Sequence, residues 1–289
     1  MIDSVMKAHD SVKIRGTAAM LGAALCFSTG GLLIKLIPWN PLAINGVRNL
    51  IACLVIGFYI RCMHHHIKVN LTVLAGAVCM AGVTTLFAIA NKMTTAGNAI
   101  VLQYTAPIWI VILMLLFFHK KPDRVALISI VIVFFGIVFF FLEGISTGKW
   151  MGDILALISG IFYAGVFMLN QFEKGDALSS MFLGQLLCGV ALSPLVFRET
   201  EFSAGVLTAV LVLGAVQVGL AYIFFSIGIR YTDPVSASII NAVEPIMNPI
   251  LVALFYGEKL GRLSLAGAAV VIGGILFYNI GGRLSSRQK

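Results

Sequence analysis

The sequence predicts an all-α integral membrane protein: ten transmembrane helices in two inverted five-helix repeats. Three observations predict it. The 289-residue chain is 60% hydrophobic and 11% charged, with a mean hydropathy of +1.00. Soluble domains average about 45–50% apolar and about 25% charged residues, so the bilayer must be the solvent here. Next, ten apolar runs follow one another with short joins, each near the ~20 residues that cross about 30 Å of hydrocarbon. Finally, the second half of the chain repeats the first.

In chain order the spans are 16–37, 41–61, 70–91, 95–118, 123–143, 151–172, 178–197, 206–229, 233–256 and 262–282. The organisation follows. Residues 1–15 form an N-terminal tail, 16–143 the first repeat and 144–150 a linker loop. Residues 151–282 form the second repeat and 283–289 a C-terminal tail. The tail MIDSVMKAHDSVKIR is polar and mildly basic, and the apolar run after it is long enough to span. No cleavable signal peptide is expected, and the tail is expected to be disordered.

Lysines and arginines set the orientation. With the N-terminus inside, 13 fall inside, among them Arg15, Lys68, Lys120, Lys121, Arg230, Arg287 and Lys289. Six fall outside: Lys35, Lys92, Lys149, Arg198, Lys259 and Arg262. Both termini are therefore expected in the cytoplasm, with the chain in the cell membrane. The net charge of +8 reports this topology. Nucleic-acid binding would need a basic folded surface, and none is expected.

At an offset of 138 positions, the stretch from Thr94 falls on the stretch from Thr232 without a gap. Pro107 meets Pro245, Lys121 meets Lys259, Arg124 meets Arg262 and Gly136 meets Gly274. A weaker echo at offset 136 pairs Gly16 with Gly152 and Phe27 with Tyr163. Five spans per repeat is odd, so the second half enters the membrane inverted. Inverted repeats are the architecture of secondary transporters, which open to either side of a midplane site.

The span-2 arginine in NGVRNLIACLVIGFY, the span-4 APIWIVILMLLFF and the span-9 EPIMNPILVALFYGEKL together carry a resemblance. The sequence resembles the EamA-type ten-helix members of the drug/metabolite transporter superfamily, over nearly the whole chain. The first repeat departs from that pattern, with HKK where members often show Gly-Glu. The resemblance implies export of small organic metabolites such as amino acids. It equally covers proton-coupled efflux of cationic or toxic compounds.

The polar residues at membrane depth are the candidate site. Asn241, Glu244 and Asn248 are spaced three and four apart and share one helical face. Counted from Asp233, Glu244 lies about 16 Å deep, near the midplane. A carboxylate there costs about 2.5–3.5 kcal/mol against lipid, so the face must meet protein or a wet cavity. Pro245 and Pro249 each free a carbonyl in what reads as a kinked helix. Glu244 is thus either a titratable cavity group or a structural ion pair.

The repeat maps Asn241, Glu244 and Asn248 onto Gln103, Ala106 and Ile110 of span 4. Asn98, Thr105 and Trp109 share a neighbouring face, with Tyr104 beside them. The Tyr104 and Trp109 rings are expected to line the cavity, stacking on a substrate ring or facing a cation. Arg48 lies about 10 Å inside span 2 and cannot shed its charge. Its partner is Glu244, backbone carbonyls or a substrate carboxylate. FSTGG at 27–31 allows close helix approach or unwinding in span 1. GAAVVIGG in span 10 offers Ala269 and Gly273 for packing, internally or in a homodimer.

Other classes fit less well. An embedded enzyme needs a nucleophile with a base, or a metal cluster, at membrane depth. None of His9, His64, His65, His66 and His119 lies within a span core. The five cysteines read as small buried apolar residues. No metal or cofactor is expected. A channel would need rings of like residues around an axis. No Walker motif is present, so energy would come from a substrate or proton gradient. Expected partners are a small-molecule substrate, the lipid bilayer and protons as coupling ion.

Overall fold

The computed structural model describes residues 2–119, 124–232, 237, 240–241, 243–258 and 260–286. Lys120, Lys121, Asp233, Lys259, Arg287 and Lys289, used in the reading above, lie outside the described residues. The elements among the described residues are all helical. Eight stretches are long and apolar enough to cross a membrane: Ile14–Leu36, Pro41–Cys62, Leu71–Met93, Ala96–Phe118, Leu127–Thr147, Trp150–Gln171, Ala177–Arg198 and Ala204–Tyr231. They correspond to spans 1 to 8. Two further helices, Glu244–Tyr256 and Arg262–Ser286, hold the places of spans 9 and 10.

The ends of the repeats differ from expectation. The first helix begins at Ile2 and runs to Ser28, so the N-terminal tail is helical. Span 5 continues to Thr147, and the linker narrows to Gly148 and Lys149, with Gly148 at φ 74°. The last helix extends to Ser286. Once a helix is nucleated, each added residue gains one hydrogen bond, so spans run past their apolar limits.

Local chemistry sets the helix starts. Asn40, Asn70, Thr95, Asp176 and Ser203 each accept a backbone N–H from the first turn of the following helix. Each satisfies a donor that the helix cannot.

Span 4 is broken. Its first helix is Ala96–Gln103 and its second Ala106–Phe118. Glu244–Tyr256 occupies the same register 138 positions later, and both helices have 13 residues. Both carry proline at the second position. There the missing N–H is one the helix start leaves unpaired anyway. Both end on a left-handed residue, His119 at φ 53° and Gly257 at φ 75°. Pro245 therefore starts a helix, where the sequence had suggested a kink within one. Pro249 stays inside the helix.

Span 1 breaks at Thr29, between Ile2–Ser28 and Gly30–Leu36. A Cβ on Gly31 would lie 2.1 Å from Asn248 Oδ1, and one on Gly30 would lie 2.7 Å from Gln217 Nε2. The FSTGG segment thus both unwinds and lets neighbours in. Span 8 changes form midway. Ala204–Val212 and Ala221–Tyr231 are α-helical, while Leu213–Leu220 is π-helical.

Spans 5 and 10 pack against each other through glycine. A Cβ on Gly267 would lie 2.8 Å from the Gly136 carbonyl, and one on Gly274 would meet Val133 at 2.9 Å. Ala269 and Gly273 lie on the exposed face of span 10. The internal seam therefore uses Gly267 and Gly274, the other side of the same helix.

Candidate functional site

The polar residues of both repeats converge on a small internal cavity of ≈ 30 Å³. Its polar lining is Arg48, Thr84, Gln103, Gln217 and Glu244. Its aromatic lining is Phe27, Phe87, Tyr163 and Tyr222. Glu244 is the first residue of its helix and is 5% exposed. The positive end of a helix favours a carboxylate at that position. Tyr104 Oη donates to Glu244 Oε2 at 2.5 Å.

Arg48 is 2% exposed and is held locally. Its Nε and Nη2 both donate to Asn45 Oδ1, at 3.1 and 2.9 Å, and Nη2 also donates to the Thr84 carbonyl at 2.7 Å. Arg48 and Glu244 line one cavity, yet form no ion pair within 4 Å. Of the partners the sequence left open for Arg48, the structure supplies a backbone carbonyl and a neighbouring amide.

The other expected residues divide. Gln103 lines the cavity, and its Nε2 donates to Ser159 Oγ at 3.2 Å. Asn241 is fully buried and donates from Nδ2 to Tyr163 Oη at 3.0 Å; its Oδ1 has no partner among the described residues. Asn248 is fully buried, and neither amide atom has a partner among the described residues. Tyr104 buttresses Glu244 from behind, edge-on to Tyr163. It is not on the cavity wall.

Trp109 stands off the cavity and is half-buried, with Nε1 donating to Thr105 Oγ1 at 3.1 Å. Asn98 is turned to span 6, where its Nδ2 donates to Asp153 Oδ1 at 3.2 Å. Asn98 precedes Gln103 by five residues in the same helix, which turns it about 140° away from Gln103. The break in span 4 accounts for Trp109: a face counted through an unbroken helix is not the face that forms once the helix restarts at Ala106.

Two features escaped the sequence reading. The aromatic wall is Phe27, Phe87, Tyr163 and Tyr222, from spans other than 4 and 9. Offset 136 had already paired Phe27 with Tyr163, the one signal that pointed there. Gln217 is 6% exposed on the π-helical turn of span 8, and its Oε1 has no partner among the described residues. An unpaired buried acceptor costs about 1–3 kcal/mol. A lone glutamine in the run GAVQVGL was the only sequence signal.

The two ends of the bundle differ. At the end that carries Arg15, a vestibule of ≈ 1260 Å³ opens between spans 1, 2, 6 and 8. His65, Lys68, Asp176 and Arg230 stand on its walls. Asp176 Oδ1 lies 3.2 Å from His65 Nε2, and Lys68 Nζ lies 3.7 Å from Oδ2. Burial pushes the Asp176 carboxyl up, but the Ser179 N–H and hydroxyl, with His65, outweigh it and hold it below its ordinary value. An aromatic layer separates vestibule from cavity. Phe167 faces the vestibule and Tyr163 the cavity, with ring centroids 4.8 Å apart.

The opposite end is tied shut. Lys35 Nζ lies 3.1 Å from Glu258 Oε1 and donates to the Thr94 carbonyl at 2.9 Å. Glu258 Oε2 accepts from the Ala96 N–H at 3.0 Å. Thr94 Oγ1 donates to Asp153 Oδ1 at 2.7 Å. These contacts join spans 1, 3, 4, 6 and the end of span 9.

Comparisons with known proteins match this architecture. A model of the EamA-like transporter family matches residues 14–142 and again 150–280, one match per repeat. An "Uncharacterized transporter" of Archaeoglobus fulgidus is 24% identical over 266 residues, 90% of this chain and 95% of that protein. "Uncharacterized transporter YxxF" of Bacillus subtilis is 24% identical over 191 residues, 63% of this chain and 61% of that protein. A solved structure named only "Crystal structure of protein" shares the fold, with a TM-score of 0.65 at 16% identity. It covers 94% of this chain and 98% of its own.

Proposed function

Because the chain belongs to the EamA-like transporter family, we propose that it is a secondary transporter exporting a small zwitterionic metabolite of the amino-acid type by alternating access. One observation carries the substrate reading. Arg48 and Glu244 line a single cavity without pairing to each other. A buried charge left unpaired is costly. A zwitterion answers both walls, its carboxylate to Arg48 and its ammonium to Glu244. Gln103 and Asn241 flank this pair, Tyr104 supports Glu244 by its hydrogen bond, and Asn248 lies one turn further along the Glu244 helix. Asn98 and Trp109 lie further out along span 4: Asn98 ties its first half to Asp153 of span 6, and Trp109 ties its second half back to Thr105.

With both termini in the cytoplasm, as the lysine and arginine bias favours, the ≈ 1260 Å³ vestibule faces the cytosol. Substrate enters there and passes the Tyr163–Phe167 layer to the cavity, which at ≈ 30 Å³ must widen to take it. The tie at Lys35 and Glu258 then opens outward. Protons are the coupling ion in this reading, carried by Glu244 when no ammonium is bound.

The test is Glu244→Gln in liposomes with defined pH and voltage. The variant keeps size and hydrogen bonding but fixes the charge at zero. It is expected to insert and purify normally, to lose pH-dependent flux and to retain exchange. If instead it misfolds, and the double variant Arg48→Met/Glu244→Met restores folding and full transport, the two residues are structural and this reading fails. The aromatic wall favours a second reading, efflux of organic cations. In that case cations lacking a carboxylate would be carried, and Arg48→Met would leave their flux intact.

A further inference from the structure

We propose that Gln217 is a specificity-determining residue: its side-chain oxygen accepts one N–H of a substrate's primary ammonium group, beside the Glu244 carboxylate. The inference rests on the transport reading above and sharpens it, from a zwitterion whose ammonium meets Glu244 to one whose ammonium carries N–H donors.

Geometry supplies the first support. Gln217 lies inside the Leu213–Leu220 π-helical segment, with α-helix on both sides. A π turn is rare and is frequently found at a functional site. Here the amide reaches the wall that it shares with Glu244 and Arg48. Gly30 stands directly behind it. The space a Cβ would take there is filled by Gln217 Nε2, at 2.7 Å. The break in span 1 therefore accommodates the nitrogen end of the amide.

A count of donors and acceptors supplies the second. Several donors around the cavity are engaged: Gln103 Nε2 on Ser159, Tyr104 Oη on Glu244, and Arg48 Nε and Nη2 on Asn45 and Thr84. Arg48 Nη1 and the Tyr222 hydroxyl have no partner among the described residues, which leaves donors for a carboxylate. Two amide acceptors are also left over. Gln217 Oε1 and Asn241 Oδ1 are buried without partners among the described residues. Glu244 accepts only from Tyr104 among them, and only at Oε2. These acceptors fit a group that is all donor. A primary ammonium offers three N–H donors and no acceptor. A quaternary ammonium offers none and would leave these oxygens bare.

The experiment is competition against counterflow in proteoliposomes. The competitors are one α-amino acid and its N-methyl, N,N-dimethyl and N,N,N-trimethyl derivatives. The variants are Gln217→Met, which keeps length without an acceptor, and Gln217→Glu, which keeps acceptors. Wild type is expected to prefer the parent over the trimethyl form by about tenfold or more. Gln217→Met is expected to weaken the parent about tenfold and leave the trimethyl form unchanged, so that discrimination collapses. Gln217→Glu is expected to keep the order of preference. Should Gln217→Met fail to fold, Gln217→Ala, with thermal stability recorded, must show the same collapse. Equal weakening of all four competitors, or no effect, overturns the proposal and leaves a water as the partner of Gln217. A flat profile in wild type overturns the ammonium subsite while transport stands. Wild-type vesicles that move none of the series overturn the transport reading and this inference together.

Discussion

Lys35→Met is expected to loosen the end of the bundle opposite the vestibule. The pair it breaks is short and largely shielded, with Lys35 Nζ 3.1 Å from Glu258 Oε1 and side chains 10% and 17% exposed. At an effective dielectric of about 20, two unit charges at that separation attract by ~5 kcal/mol. Desolvation and side-chain ordering take back most of it, leaving ~1–2 kcal/mol. A change of that size moves a two-state equilibrium about 5- to 30-fold. The closed state would lose that factor relative to the state open at this end. A cysteine at Asn98, just below Thr94 and Ala96, reports the opening, with the five native cysteines replaced. Its alkylation by a membrane-impermeant reagent from the Lys35 side should quicken by about tenfold in Lys35→Met. It should quicken similarly in Glu258→Gln, and no further in the double variant, because both changes remove one interaction. Unchanged alkylation in a folded Lys35→Met protein, or singles whose effects simply add, would refute the assignment of this pair as the closure.

Three further outcomes are expected. Asp176→Ala should cost about 1 kcal/mol of stability through the lost helix cap, read as a lower midpoint in thermal unfolding. The folded Asp176 carboxyl is depressed, so its contribution is present above the unfolded carboxylate range and is lost as pH falls through the folded value. Wild type and Asp176→Ala should therefore converge in stability on acidification below about pH 4, and divergence there would contradict the cause given. Gly46→Ala should cost about 1–3 kcal/mol or more, because its Cβ would fall 2.2 Å from the Ser193 nitrogen on span 7, which is backbone and cannot turn aside. His119→Gly should be neutral to stabilising by up to about 1 kcal/mol, since it places at φ 53° the residue that the second repeat already uses at Gly257; a lower unfolding midpoint would count against this.

Hydropathy and the internal offset were enough to place the spans, because span length and polar spacing depend on local sequence alone. The offset of 138 even aligned Ala106–Phe118 with Glu244–Tyr256 end to end. The site was legible in composition more than in arrangement. Glu244, Arg48 and Gln103 do reach one cavity. Trp109 does not, because a helical wheel assumes an unbroken helix and span 4 restarts at Ala106; Asn98 does not, because it lies on another face of the helix that carries Gln103 and meets Asp153. Arg48 shows a second limit. Asn45, three residues earlier in the same helix, was within reach of a pattern; the Thr84 carbonyl depends on how span 3 lies against span 2, which no pattern within one span encodes. Gln217 was missed because one amide in an apolar run reads the same in an α-helix as in a π-helix.

The size of the central cavity bears on what the protein costs a cell when it is idle. At ≈ 30 Å³ it holds no more than a few waters. A proton wire needs a continuous file of waters from one face to the other. In the transport reading proposed above, the tied Lys35 end and the aromatic layer interrupt such a file. On that reading the resting molecule is expected to pass no proton current, so that many copies could sit in an energised membrane without discharging it. Any current through the protein should scale with turnover and disappear when substrate is withdrawn.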